Sequence, residues 1–175
     1  MSAKGWLLSM RGPTYAAVGA RELVYVLPEE PQIQGIPLAP APAPGVIVWE
    51  NRPVPVIDVG LLLRGAEAGA ASAATAPAGR REFAAIVAFT GDRAGTTGVE
   101  LGALILTKVP EQIEVSDDQA REIPEEFIGH GGFFTSCFEH PELGAVPVLD
   151  LAAMFLTSVR RSEIRATCDV QGSLS

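Results

Sequence analysis

The sequence predicts an all-β chain made of two similar lobes and finished by one short C-terminal helix. Short runs rich in β-branched and aromatic residues alternate with turn residues through most of its length. A ten-residue unit occurs twice, as VPVIDVGLLL at 54–63 and as VPVLDLAAMF at 146–155. Only the stretch from Leu151 to Arg161 has a persuasive helical pattern, with Asp150 placed to cap its start and Arg160 and Arg161 suited to its C-terminal dipole.

Taken in order, Trp6–Met10 reads as a strand, Arg11-Gly12-Pro13-Thr14 as a turn and Tyr15–Val18 as the partner strand. Leu23–Leu27 (LVYVL) is a strand stopped by Pro28. Prolines at 37, 40, 42 and 44 remove backbone donors and favour an extended, unpaired path there. Gly45–Trp49 and Val54–Ile57 form a hairpin around Glu50-Asn51-Arg52. The Ala/Gly-rich stretch 66–79 has no apolar face and reads as a long flexible surface loop. Strands follow at Phe83–Phe89, Leu101–Leu106 and Gln112–Val115. An acidic stretch, Ser116–Glu126, then precedes strands at Phe133–Phe138 and Ala145–Leu149. The repeated unit implies a duplicated lobe, each copy ending in a strand, an aspartate cap and a helical turn.

Composition excludes several function classes. The 175 residues, 47% hydrophobic, suffice for one domain over 1–175 with a substantial core. A net charge of -8 argues against nucleic acid as a partner. Arg160, Arg161 and Arg165 are too few for a polybasic anchor, and 160–175 reads as a solvated tail. The start lacks the apolar length of a signal peptide or a membrane span, so a cytoplasmic protein with no membrane insertion is expected. Cys137 and Cys168 are too few for a disulfide framework and agree with a reducing compartment.

Candidate chemistry is sparse. Asp58 and Asp150, one in each repeat, invite comparison with an aspartic-protease-like enzyme, whose two carboxylates share a proton. However, Val59 stands where an orienting hydroxyl is needed, and Leu151-Ala152 follow the second aspartate. Helix capping is the expected role for both. His130, Cys137 and His140 match no tight metal-ligand spacing. Neither Cys137 nor Ser136 has a marked base or oxyanion loop. Gly129, Gly131 and Gly132 lack the Gly-Lys-Ser/Thr signature of a phosphate loop. Trp6 and Trp49 are expected in the core or at an interface. No enzyme, metal or cofactor is expected.

One family resemblance organises these features. LVYVLP, then IPLAPAPAPGVIVW, then PVPVIDVGLLL resembles the CheW-like domain of bacterial chemotaxis proteins. Ile36, Pro37 and Pro40 fit one segment of its pattern, and Gly45, Val46, Pro55, Val56, Ile57 and Asp58 fit the next. ALILTKVPEQIEV at 103–115 and VPVLDLAAMF are similar to its later strands, so the resemblance runs from Trp6 to Leu156. It implies two small five-stranded SH3-like β-barrel lobes around a shared core. It also implies a non-enzymatic adaptor that couples the cytoplasmic tip of a methyl-accepting chemoreceptor to the regulatory domain of a CheA-type histidine kinase. Protein-binding residues are then expected at Leu23, Gly45, Val48, Trp49, Glu50 and Asn51. The chain departs from the family pattern where Arg-Gly becomes Glu50-Asn51 and Asn-Leu becomes Val48-Trp49. Its later Gly and Asp are Ala103 and Thr107. An arginine-to-glutamate reversal alters partner charge preference, which points to a divergent adaptor, for example in pilus motility. The alternative expectation is a self-associating scaffold with Trp49 in a homotypic interface.

Overall fold

The computed structural model describes residues 1–64, 81–93, 96–128 and 132–156. The loop expected at 66–79, the helix beyond 156 and the arginine-bearing tail lie outside them. Among the described residues twelve strands form two sheets. They are β1 (Ser2–Ser9), β2 (Tyr15–Gly19), β3 (Leu23–Leu27), β4 (Gln34–Gly35), β5 (Gly45–Trp49) and β6 (Arg52–Ile57), then β7 (Phe83–Arg93), β8 (Thr96–Leu106), β9 (Glu111–Ser116), β10 (Ala120–Arg121), β11 (Phe134–His140) and β12 (Gly144–Leu149). Helix α1 is Val59–Leu63, α2 is Glu125–Ile128 and α3 covers 151–156. The all-β prediction holds, and most predicted strands appear within a few residues of their expected ends. Each sheet has five strands of five residues or more, plus a two-residue sixth, β4 or β10, too short to leave a sequence pattern.

One lobe is split along the chain, while the other, β3–β8, is a single consecutive run. One sheet runs β10-β11-β12-β2-β1-β9 and the other runs β4-β5-β6-β8-β7-β3. Each consists of four consecutive strands completed by the leading hairpin of the other half: β9–β12 take β1–β2 from the start of the chain, and β3–β6 take β7–β8, which follow them directly. Position for position, the two halves of the chain have exchanged their leading hairpins. The joins match in register, because β12 meets β2 in parallel at Val148↔Ala17 and β6 meets β8 in parallel at Val56↔Ala103. The sequence repeat thus marks equivalent places, but each lobe needs both halves of the chain.

Burial follows from this exchange. Alternate residues of β7 and β8 serve two cores: Ala84, Ile86, Ala103 and Ile105 face the interior of their own barrel, while Ala85, Val87, Leu104 and Leu106 face the shared core. β1 divides likewise, with Leu7 inside its barrel and Leu8 in the shared core. Strands covered on both faces read as continuous apolar runs rather than alternating ones, as LILT and AAIVAF do.

Helices α1 and α3 each cross to the opposite lobe. Gly60 of α1 lies so close to the Arg11 backbone that a Cβ would collide with it. The Phe155 ring of α3 stacks on Phe89 of β7, centroids 5.1 Å apart and 6° from parallel, and fills the space left by Gly102 of β8. Both repeat aspartates cap their helices as expected. Asp58 Oδ1 accepts from the Leu61 N–H at 3.0 Å, and Asp150 Oδ1 accepts from the Ala153 N–H at 2.8 Å.

The proline segment differs from the expected unpaired path. Ala39 N–H donates to the Ile36 carbonyl at 3.1 Å, closing a turn in which Pro37 precedes Leu38 at φ 63°. Further on, Asp58 N–H donates to the Pro42 carbonyl at 2.7 Å. Prolines lack donors but keep their carbonyls, and the loop uses these to dock on the end of β6.

Asp150→Ala should cost about 1 kcal/mol, while Asp150→Ser, which keeps an acceptor for the Ala153 amide, should cost much less. Denaturant melts of the two variants check this, and equal losses would remove capping as the role of Asp150.

Candidate functional site: the β5–β6 hairpin

The β5–β6 hairpin turns through two residues, with Trp49 paired to Arg52. Glu50 and Asn51 have φ of 50° and 60°, so both central residues are left-handed, as a type I′ turn requires. Asparagine tolerates this conformation, whereas glutamate does so at a cost. The turn matches the right-handed twist of its strands, and it holds the Glu50 carboxylate out in solvent, where it forms no ion pair among the described residues.

Trp49 is half-buried, packing one side against the barrel core of Ile47, Val54 and Val56. Its ring lies 6.4 Å from that of Tyr25 on β3, tilted by 32°. Tyr25 is 47% exposed, so the two rings present a small aromatic rim, while Val48, 56% exposed, points to the opposite face of β5. Sequence reasoning did not single out Tyr25. LVYVL marks a strand, but the register shift in the β3–β7 pairing between Leu23 and Tyr25, which sets where this ring points, has no sequence mark.

The structure therefore brings Val48, Trp49, Glu50 and Asn51 together at one barrel end. Leu23 lies two residues from Tyr25 but packs against the shared core. Gly45 is buried, and a Cβ there would strike the Gln34 carbonyl of β4, so this glycine permits strand packing rather than offering surface. Of the departures from the family pattern, Ala103 is an inward residue of β8. Thr107 binds β1 to β8: its N–H donates to the Ser9 carbonyl at 2.9 Å, and its hydroxyl lies 3.0 Å from that of Ser9.

The other candidates serve structure. Asp58 is 1% exposed, and its Oδ2 sits 2.9 Å from Arg11 Nη1 without hydrogen-bond alignment. Arg11 is held by Glu82 through two hydrogen bonds, Nε to Oε1 at 2.6 Å and Nη2 to Oε2 at 2.7 Å. That bond to Glu82 is the main reason the guanidinium is pushed above its usual range. Burial raises the Asp58 carboxyl above its ordinary 3.8, and it outweighs the lowering effects of the Leu61 amide and of Arg11. Arg11 leans toward Glu82, so the attraction it gives Asp58 does not cancel the loss of solvent. Cys137 is buried in β11, and His140 Nδ1 accepts from the Glu142 N–H at 3.2 Å. His130, with Gly129 and Gly131, lies outside the described residues. Among the described residues no three His, Cys, Asp or Glu side chains converge on a metal position, and no helix is long and apolar enough to cross a membrane.

This architecture has known relatives. The model of the CheW-like domain family matches residues 6–158, and the chain belongs to that family. Among solved structures, 14 chains match. One, the crystal structure of the scaffolding protein TtCheW from Thermoanaerobacter tengcongensis, has a TM-score of 0.59. It is 16% identical, and the alignment covers 87% of this chain and 91% of that one, a likeness of fold. No curated protein matches the sequence.

Two predictions follow from the geometry. Replacing Glu50-Asn51 with Asn-Gly should stabilise the chain by about 1 kcal/mol by relieving the left-handed glutamate. An unchanged denaturation midpoint would mean that the turn carries no strain. For Asp58, the folded state holds its proton to higher pH than the unfolded state, so stability falls as pH rises through the folded value. Wild type minus Asp58→Asn should thus decline in melting temperature from near pH 4 upward, and a rising difference would show that Arg11 dominates instead.

Proposed function

We propose that the chain works by binding, as a chemosensory adaptor that joins a CheA-type histidine kinase to a methyl-accepting chemoreceptor on the cytoplasmic side. The observation that carries this reading is the β5–β6 hairpin: a half-buried Trp49 beside exposed Tyr25, with a charged turn at the rim. A large aromatic seated in an apolar rim is the usual form of an energetic anchor, and a rim charge tunes partner choice and encounter rate. The hairpin packs its inward face on the barrel core of Ile47, Val54 and Val56, which lowers the ordering cost left for binding. In this family pattern an arginine precedes the second turn residue. Glu50 in its place favours a partner presenting Lys or Arg opposite the turn, as a divergent chemosensory system would supply.

The same rim also favours a second reading, self-association through Trp49, because Tyr25 and Trp49 form an aromatic surface that another copy could cover.

Binding to the regulatory domain of a CheA-type kinase separates the two. Trp49→Ala should speed dissociation and cost about 2 kcal/mol. Glu50→Arg should mainly slow association at low salt. Thermal melts run alongside show whether Trp49→Ala acts through stability. Unchanged affinity in both folded variants would move the interface off this hairpin, and concentration-dependent dimerisation with no kinase binding would favour self-association.

A further inference from the structure

The β5–β6 turn carries two charges that the fold leaves unused. Glu50, Asn51 and Arg52 are all exposed, and neither Glu50 nor Arg52 forms an ion pair among the described residues. Arg52 stands beside Glu100 along the cleft between β6 and β8, but no ion pair joins the two. Glutamate also sits poorly in this backbone. At a φ of 50° it is strained, and asparagine followed by glycine would make the same turn without that strain. What the glutamate adds is an anion two residues before a cation, with a neutral amide between them. Set antiparallel to a copy of itself, this order is self-complementary: Glu50 faces Arg52, Asn51 faces Asn51, and Arg52 faces Glu50. That matching defines an isologous contact, in which residue i meets j and j meets i.

We propose that two copies of this chain pair about a two-fold axis through the β5–β6 turn, with Glu50 of each copy set against Arg52 of the other and the Tyr25–Trp49 rims covered beside them. This rests on the self-association reading given above and names its contact. A partner offering charge of one sign would satisfy one of Glu50 and Arg52 and oppose the other, whereas a second copy satisfies both. The turn is neutral as a unit, so two chains of net charge -8 meet there without a local clash of like charges. At the axis the two Asn51 amides each bring a donor and an acceptor, the set needed to exchange a pair of hydrogen bonds. Tyr25 and Trp49, ring centroids 6.4 Å apart, add aromatic area that charge alone lacks. Pairing hides the rim that the adaptor reading assigns to the kinase, so the two are alternative uses of one surface.

Charge exchange tests the pairing in the full chain, by sedimentation velocity over micromolar to millimolar concentrations. Glu50→Arg leaves two cations in the turn and Arg52→Glu leaves two anions, and each should weaken dimerisation about a hundredfold. Mixed in equal amounts, the two variants should pair with each other about as well as the wild type pairs with itself. The double variant Glu50→Arg, Arg52→Glu regains self-complementarity and should recover the wild-type dimerisation constant. Both positions are exposed and the backbone at residue 50 treats arginine as it treats glutamate, so the thermal melts of all four chains should coincide. A wild type or a mixture that stays monomeric, or a double variant no better than the single ones, would overturn the proposal. A monomer that binds the regulatory domain of a CheA-type kinase would overturn the pairing and leave the adaptor reading standing. A dimer indifferent to both exchanges would keep self-association but remove this contact.

Discussion

Each barrel is closed by a hairpin that the other half of the chain provides, and most other features follow from that exchange. β1–β2 complete the sheet of β9–β12, and β7–β8 complete the sheet of β3–β6. The parallel joins at Val148↔Ala17 and Val56↔Ala103 bring together residues far apart in sequence, so neither barrel closes before the chain has doubled back on itself. The helices repeat the exchange one layer further out, where Phe155 settles on Gly102 and Phe89, and Gly60 lets α1 press on the Arg11 backbone. The shared core draws on both lobes at once, which is why it holds the largest side chains.

One polar cluster is sealed into this junction. Arg11 leaves the first sheet and reaches Glu82 and Asp58, which frame the second. Asp58 already serves as a helix cap, so the junction reuses a carboxylate that the local backbone requires. Buried charges are costly in themselves, and their geometric demands bear more on which arrangement forms than on how stable it is. The equivalent Asp150 caps α3 in the same way but is only partly buried. The two repeats therefore share a local device and differ in what surrounds it.

The sequence made the strands, both caps and the repeat legible because each depends on neighbours in the chain. β-branched runs, aspartate before a helical turn and the LVYVL pattern are local signals. Two-residue strands such as β4 and β10 pair without a pattern long enough to see. The exchange of hairpins was hidden for another reason: strand pairing is a long-range choice, and the repeat reports equivalence without saying which half supplies which edge. At the β5–β6 hairpin, Trp49, Val48 and the Glu50-Asn51 turn came from family pattern and adjacency. Tyr25 joins them only through a register shift. Gly45 answered to the same pattern, but its reason is close packing beneath β4.

A rigid hairpin platform depends on the exchange making the two barrels one cooperative unit. The chain's two tryptophans report on this separately, since Trp6 lies on β1 of one sheet and Trp49 on β5 of the other. The direct measurement is 19F NMR of fluorotryptophan-labelled protein through a denaturant titration. The native resonances of Trp6 and Trp49 should vanish at one common midpoint with one common slope. Two separate midpoints, with one barrel keeping its native signal while the other is unfolded, would contradict the account.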